Sequence, residues 1–189
     1  MLLISLIAAV SGGAPPPPSL QPRPIGATPG YILPAATPAA LEGRRIGRFR
    51  CERASSRSRF GAHIELFAHR QVVIVPAGIG VAKPFRRRFG RIVPQGCSYP
   101  LRTLEPTGVV EVLSGQKLLV RDLFALWGQP LGRKRLAGFR SRRTLLAFVG
   151  GKRWRGDPGA IPLTRHAQIV LEIGGYVSPH PSYLFQRGL

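Results

Sequence analysis

The sequence is poor in acidic residues and in lysine. It has 8 Asp plus Glu against 28 Lys plus Arg, which gives a formal net charge of +20 over 189 residues. This shortage excludes a neutral surface, and so strong a positive field attracts polyanions and anionic surfaces. Only four of the cations are lysines, namely Lys83, Lys117, Lys134 and Lys152. Because Gly, Pro and Ala are also abundant, GC-rich coding explains the arginine bias equally well without any ligand.

Long apolar runs are also missing. None approaches the roughly 20 residues that a membrane-spanning helix needs, so we expect no stable membrane span. The apolar run at residues 2–10 precedes small residues at 11–14, a pattern typical of a signal peptide. No Lys or Arg precedes Arg23, so the usual positive start of a signal peptide is absent. We predict a signal peptide over 1–14 and an extracytoplasmic protein, with a cytoplasmic protein as the alternative.

The rest of the chain divides by composition into two parts. Residues 15–45 are rich in Pro and Ala and have few patterned apolar positions, which predicts a disordered linker. Residues 46–189 are predicted to form a single domain. A domain of that size buries roughly 70% of its unfolded surface, so it needs neither metal nor disulfide merely to fold.

Hydrophobic alternation and turn residues predict a β-rich fold, either all-β or α+β, with mostly antiparallel hairpins. One short amphipathic helix is predicted over 121–127, with Asp122 in its first turn and Gly128 at its end. The predicted strand regions are a hairpin within 62–75, strands at 109–113 and 117–120, a hairpin formed by 144–149 and 152–155 around Gly150-Gly151, and a final strand at 168–173.

The sequence lacks a complete set of catalytic residues. The word Gly96-Cys97-Ser98-Tyr99-Pro100 ends in Pro, which spoils a nucleophile elbow. The word Gly150-Gly151-Lys152-Arg153 lacks the earlier Gly and the Ser or Thr of a P-loop. We therefore predict that the protein is not an enzyme and has no small-molecule substrate.

Cysteine occurs only at Cys51 and Cys97. In an exported chain an even count favours a bridge, so we predict a disulfide between them. In the cytosol the same two residues would be separate buried thiols.

Arginine clusters lie among aromatic residues such as Phe89 and Trp154. Arginine and aromatic side chains together can hold phosphates and stack bases. We predict an Arg-rich face that binds an anionic surface or polyanion, with a merely solvated basic face as the alternative. Its candidate anion-binding residues are Arg86, Arg87, Arg88, Arg91, Arg140, Arg142, Arg143 and Arg153.

A series of short sequence motifs occurs in a fixed order through residues 46–185. They include Ala62-His63-Ile64, Val75–Val81, Gly96–Tyr99, Thr107–Val110, Leu126–Leu131, Gly156–Pro158 and His166. This order resembles a family of uncharacterised, exported bacterial and archaeal proteins. Those relatives carry His-x-His-Ala-His-Leu and Leu-His-Thr-His-Asp stretches, and the resemblance implies a shared fold. Alternating His on a strand directs imidazoles to one face, a geometry that suits Cu or Zn.

This chain departs from the metal-binding pattern of that family. Arg59 begins the first stretch, which keeps only His63, and Arg102 lies in the second. Cations there oppose a bound metal, so the resemblance implies a member that has lost its metal site and holds no cofactor. A residual Cu or Zn site is the alternative, and its candidate ligands are His63, His166, Glu105 and Glu111.

Together these features predict a non-enzymatic extracytoplasmic domain, a degenerate relative of a metal-binding family, with an Arg-rich face for anionic partners or surfaces. A residual Cu- or Zn-binding protein and a cytoplasmic nucleic-acid-binding protein are the two alternatives.

Overall fold

A computed structural model of the protein describes residues 36–53 and 58–189. The predicted signal peptide and residues 15–35 of the predicted linker lie outside these ranges. The described chain is β-rich, as predicted. Its elements are α1 (Pro38–Leu41), β1 (Glu52–Arg53), β2 (Arg59–Ala68), β3 (Gln71–Val73), β4 (Phe85–Arg88), β5 (Arg91–Pro94), β6 (Cys97–Ser98), β7 (Leu101–Arg102), β8 (Val109–Leu113), α2 (Val120–Trp127), β9 (Leu131–Gly132), β10 (Arg135–Leu136), β11 (Phe139–Arg140), β12 (Leu146–Val149), β13 (Lys152–Trp154), a 3₁₀ helix (Pro158–Ala160) and β14 (Gln168–Ile173).

The largest sheet has seven strands in the order β13-β12-β14-β2-β8-β7, with β3 also paired to β2. All of its pairs are antiparallel except β14 with β2, which run parallel with Leu171 opposite Leu66. Every residue of β14 is buried. Parallel strands that are buried on both faces typically carry continuous apolar runs, and Ile169-Val170-Leu171 is such a run.

Two predicted hairpins are confirmed. The turn between β2 and β3 consists of His69 and Arg70, with φ values of 51° and 64°, and the turn between β12 and β13 consists of Gly150 and Gly151, with 55° and 74°. Positive φ at both central residues twists a two-residue turn in the same sense as its strands. Glycine adopts this conformation at low cost, so Gly150-Gly151 was the clearer signal.

The predicted strand at 117–120 is wrong. Lys117 is exposed, Leu119 forms only an isolated bridge to Pro162, and Val120 already begins α2. The reason is local capping, because the Asp122 carboxylate accepts a hydrogen bond from the Leu119 backbone N–H at 2.9 Å. That bond turns the chain into the helix before a second strand can pair.

The predicted helix is confirmed as α2, one residue longer at its start. Gly128 ends it with φ 73° and donates its backbone N–H to Ala125, and Trp127 is 1% exposed. With eight residues α2 is the longest described helix, and no helix in the described ranges has the length and apolar character to cross a membrane.

The hydrophobic core lies on both faces of the large sheet. One face carries Ile64, Leu66 and Leu171, which belong to the main cluster together with the apolar side of α2. The opposite face carries a smaller cluster of Phe67, Phe148, Val170 and Val177. Alternate residues of β2 and β14 therefore serve two apolar layers, which explains the burial of both strands.

Residues 36–45 correct the predicted boundary of the linker. Thr37 caps α1 by accepting a hydrogen bond from the Ala40 backbone N–H at 3.2 Å, and Ala40 is fully buried in the main core. The carbonyl of Arg44 accepts a 2.5 Å hydrogen bond from the buried Tyr99 hydroxyl. Thr37-Pro38 is a capped helix start, a short signal that the Pro- and Ala-rich composition around it conceals.

The predicted disulfide is confirmed. Cys51 and Cys97 are bonded across the β1–β6 pair, in which Glu52 lies opposite Ser98 and Arg53 lies opposite Cys97. The bond fastens the start of the sheet domain to the middle of the chain, 46 residues further on.

Removal of this bond is expected to destabilise the protein strongly. In the chain-entropy view, a crosslink over this separation contributes about 4 kcal/mol to the free energy of unfolding. Urea denaturation of Cys51→Ala/Cys97→Ala should show that loss, and the wild-type protein under reductant should show a similar one. Equal urea midpoints for the oxidised wild type and the double variant would contradict the expectation.

Candidate anion-binding cleft

His63, the first predicted metal ligand, is held inside the protein and is 4% exposed. Its Nδ1 lies 2.7 Å from the Gln168 side-chain oxygen, and its Nε2 lies 2.8 Å from the Thr107 carbonyl oxygen. Its ring stacks on Tyr183 at 3.7 Å between centroids. Both ring nitrogens are therefore engaged by protein atoms.

His166, like His63, is covered by an aromatic residue of the C-terminal segment 183–189. Its Nε2 is 2.6 Å from the Leu189 carbonyl oxygen, and its ring stacks on Phe185 at 4.6 Å. We call residues 183–189 the aromatic strap, because Tyr183 and Phe185 in it cover the two histidines. The strap makes each imidazole part of a structural contact.

The two predicted carboxylate ligands are paired with arginine. Glu111 accepts a 2.8 Å hydrogen bond from Arg102 Nε and lies 3.7 Å from Arg91 Nη2. Arg91 also donates to Glu105. Arg102, in the stretch where the resembled family has histidines, thus holds a carboxylate. We call Arg91, Arg102, Glu105 and Glu111 the ion-pair network.

The predicted metal site is therefore not assembled. Within residues 36–53 and 58–189, no three His, Cys, Asp or Glu side chains are grouped so that they could hold a metal ion. The physical reason is competition, because arginine guanidinium groups and the aromatic strap already occupy the groups that would coordinate. The four candidates instead have structural partners.

The predicted Arg-rich face is divided among separate elements. Arg86, Arg87 and Arg88 lie on β4 of a two-stranded sheet, whereas Arg153 lies on β13 of the large sheet. Arg91, another predicted anion-binding residue, belongs to the ion-pair network. Its guanidinium faces carboxylates of the protein instead of solvent anions. The remaining candidates, Arg140, Arg142 and Arg143, lie on or just after β11 of a three-stranded meander.

This meander, formed by β9, β10 and β11, displays a dense cationic patch. Leu136 and Ala137 are fully buried and anchor it to the main core. In the strand register Arg135 lies directly opposite Arg140, an arrangement of like charges that costs stability. The exposed cations of the patch are Arg133, Lys134, Arg135, Arg140, Arg142 and Arg143.

A cleft of about 400 Å³ lies where the meander meets the β12–β13 hairpin. Arg133, Arg153, Arg155 and Trp154 line it, and we call it the arginine cleft. The Arg153 guanidinium itself lies over the Phe148 ring, on the opposite face of the sheet from Trp154. The Leu145 backbone N–H donates to the Arg133 carbonyl at 2.7 Å, which fixes the meander beside the hairpin. Two basic segments that lie about 20 residues apart, 133–135 and 152–155, therefore meet at one concave site.

The walls of the arginine cleft are held in place by hydrogen bonds. Trp154 Nε1 donates to the Asp157 carbonyl oxygen at 3.1 Å. The Asp157 side chain accepts from the Gly159 backbone N–H at 3.1 Å, so this carboxylate caps the 3₁₀ helix. Among the described carboxylates, Asp157 alone lines the cleft, and Arg133 and Arg155 leave it net positive. Guanidinium groups beside a fixed indole ring can bind phosphate or sulfate oxygens.

Glu172 on β14 is a buried carboxyl that sequence reasoning missed. It is fully buried, its Oε2 accepts from the Val177 backbone N–H at 3.2 Å, and its Oε1 has no hydrogen-bond partner. Burial raises its pKa to about 7, although the Val177 hydrogen bond and the charge of Arg153 act in the opposite direction. The only available signal was an acidic residue inside the apolar run Ile169–Ile173.

The stability of the protein is expected to fall as the pH rises from about 4.5 to about 7. The unfolded chain releases the Glu172 proton near 4.5, whereas the folded carboxyl retains it to about 7, so the folded state binds more protons in this window. Above it, the buried charge costs about 3 kcal/mol.

Glu172→Gln tests this assignment, because the amide oxygen can still accept from Val177. Urea denaturation should show a gain of about 1–3 kcal/mol at mildly alkaline pH and little change at acidic pH. Glu42→Gln is the matched control, since the Glu42 side chain is 59% exposed. A Glu172→Gln protein with the wild-type pH dependence would disprove a titrating Glu172.

Comparisons with protein-family profiles, with curated proteins and with solved structures found no match to this chain.

Proposed function

We propose that the protein is a non-enzymatic extracytoplasmic domain that binds a phosphorylated or sulfated polyanion in the arginine cleft. The observation that carries this proposal is the convergence of Arg133 and Arg155 with Trp154 on one cleft that has a single carboxylate in its lining among the described residues. A ligand phosphate or sulfate would accept hydrogen bonds from these guanidinium groups while Trp154 contacts an adjacent ring.

The surrounding charge supports a long ligand rather than a single anion. The cationic patch of the meander begins at Arg133 in the cleft and extends to Arg143. Opposed arginines at Arg135 and Arg140 repel each other in the free protein, and a polyanion would remove that repulsion. The stability given up there is consistent with selection for binding.

The proposed compartment and the absence of catalysis have separate support. A disulfide such as Cys51–Cys97 persists in oxidising environments outside the cytoplasm. Three histidines are tied to protein partners, including His180 with its Nδ1 2.9 Å from Glu65. Both ring nitrogens of buried His63 are engaged, which favours a structural role for that imidazole over acid–base chemistry.

Heparin binding measured against salt tests the proposal. Arg133→Gln/Arg155→Gln is expected to weaken heparin binding about tenfold and to make its salt dependence shallower, because fewer counterions are released. Arg45→Gln/Arg187→Gln removes the same charge from exposed arginines outside the cleft, and this control should lose much less.

Tryptophan fluorescence gives a local readout of the same event. Trp154 lines the cleft, whereas Trp127, the other tryptophan, is buried in the core, so heparin should change the emission of Trp154. Trp154→Phe should abolish that change. Equal losses in both double variants with unchanged Trp154 emission would overturn the cleft as the site. A strong preference for single-stranded DNA over heparin would favour the nucleic-acid alternative.

A further inference from the structure

The hairpin of β4 and β5 carries an aromatic residue at its tip. Arg88 pairs with Arg91 across the two strands, so Phe89 and Gly90 form a two-residue turn. Their φ values are 48° and 76°, both in the left-handed region. This region suits Asn, Asp and Gly and is costly for a bulky side chain such as phenylalanine.

The Phe89 side chain contributes little to the stability of the fold. Its side chain is 96% exposed, and its ring lies beside the guanidinium of neighbouring Arg88, 5.7 Å from the ring centre. A residue that is both strained and exposed is best explained by something outside the protein. The hairpin presents an aromatic ring to solvent at its tip.

The hairpin is firmly attached to the domain along β5, up to the residues that flank its turn. Ile92 is fully buried and donates its backbone N–H to the Leu104 carbonyl at 2.7 Å. Phe85 packs against the small cluster that contains Ile92 and Leu104, and Arg91 bonds to Glu105. The turn is therefore held in place by the buried strand β5.

The exposed strand around the tip is cationic. Arg86, Arg87 and Arg88 are all exposed, and no ion pair joins them to a carboxylate of the described chain. Val93 on the opposite strand is 39% exposed and adds apolar surface. The hairpin thus combines a protruding apolar tip with cations directly behind it.

We propose that this hairpin docks onto an anionic lipid surface, with Phe89 in the interfacial region and Arg86, Arg87 and Arg88 against the headgroup phosphates. A convex apolar tip needs a medium that it can enter, and the headgroup boundary of a bilayer accepts aromatic rings. Arginines behind the tip are attracted by the negative surface potential of such a membrane. This site is separate from the arginine cleft and does not depend on it.

Sedimentation with vesicles of phosphatidylglycerol and phosphatidylcholine tests the proposal. Phe89→Asn removes the ring but keeps a residue that favours the left-handed turn, so the fold should be retained or stabilised. Vesicle binding is expected to weaken about tenfold. Leu184→Ala is the matched control, because Leu184 is 93% exposed and lies outside the hairpin, and it should bind like the wild type.

Charge and insertion are measured separately. Arg86→Gln/Arg87→Gln/Arg88→Gln should remove most of the preference for phosphatidylglycerol vesicles over phosphatidylcholine alone. In Phe89→Trp, the emission of the new tryptophan should shift to shorter wavelength when anionic vesicles are added. Thermal unfolding of each variant confirms that it is folded.

Several results would overturn this assignment. One is a folded Phe89→Asn protein that binds vesicles as tightly as the wild type. Another is an equal loss in Leu184→Ala. A third is tip-dependent binding to duplex DNA with no binding to vesicles, which would assign the hairpin to nucleic acid. Heparin binding by the cleft variant remains an independent measurement, so failure of one site is distinguishable from failure of the other.

Discussion

The parallel pairing of β2 with β14 is the constraint on which the rest of the sheet depends. It joins residues 59–68 to residues 168–173, and both strands contribute to an apolar layer on each face. All other strands of the large sheet attach to one side or the other of this pair. The β12–β13 hairpin, and with it the arginine cleft, extends from β14, whereas β8 and β7, and with them Arg102 and Glu111, extend from β2.

This arrangement separates the few carboxylates from many of the arginines. On the β2 side, Glu111 and Glu105 neutralise arginines within the ion-pair network. On the β14 side, Asp157 is the one described carboxylate that lines the cleft, and Glu172, on the opposite face of the sheet, is buried with a raised pKa that favours its uncharged form. The net charge therefore becomes a local field, because few anions remain at that end of the sheet to oppose it.

Sequence patterns predicted those parts of the fold that depend on neighbouring residues. Gly150-Gly151 indicated its hairpin, Asp122 and Gly128 indicated α2, and the two cysteines indicated their bridge. One failure has a local cause, and the other involves partners that are distant in sequence. The strand at 117–120 was lost to the Asp122 cap, and the proposed ligands His63 and His166 are engaged by Thr107, Gln168 and the aromatic strap. The basic words that form the cleft were visible, but only the sheet order brings Arg133 to Arg155.

The burial of α1 has a practical consequence for anyone who prepares this domain. A fragment that starts at residue 46, where the composition places the domain boundary, would lack Ala40 and the Arg44 carbonyl. The Tyr99 hydroxyl, which that carbonyl satisfies, would then lie in the interior without its acceptor, a loss of about 1–3 kcal/mol. Gly128 would also lose its neighbour Thr37 at the end of α2. Truncations should therefore leave residues 36–45 in place.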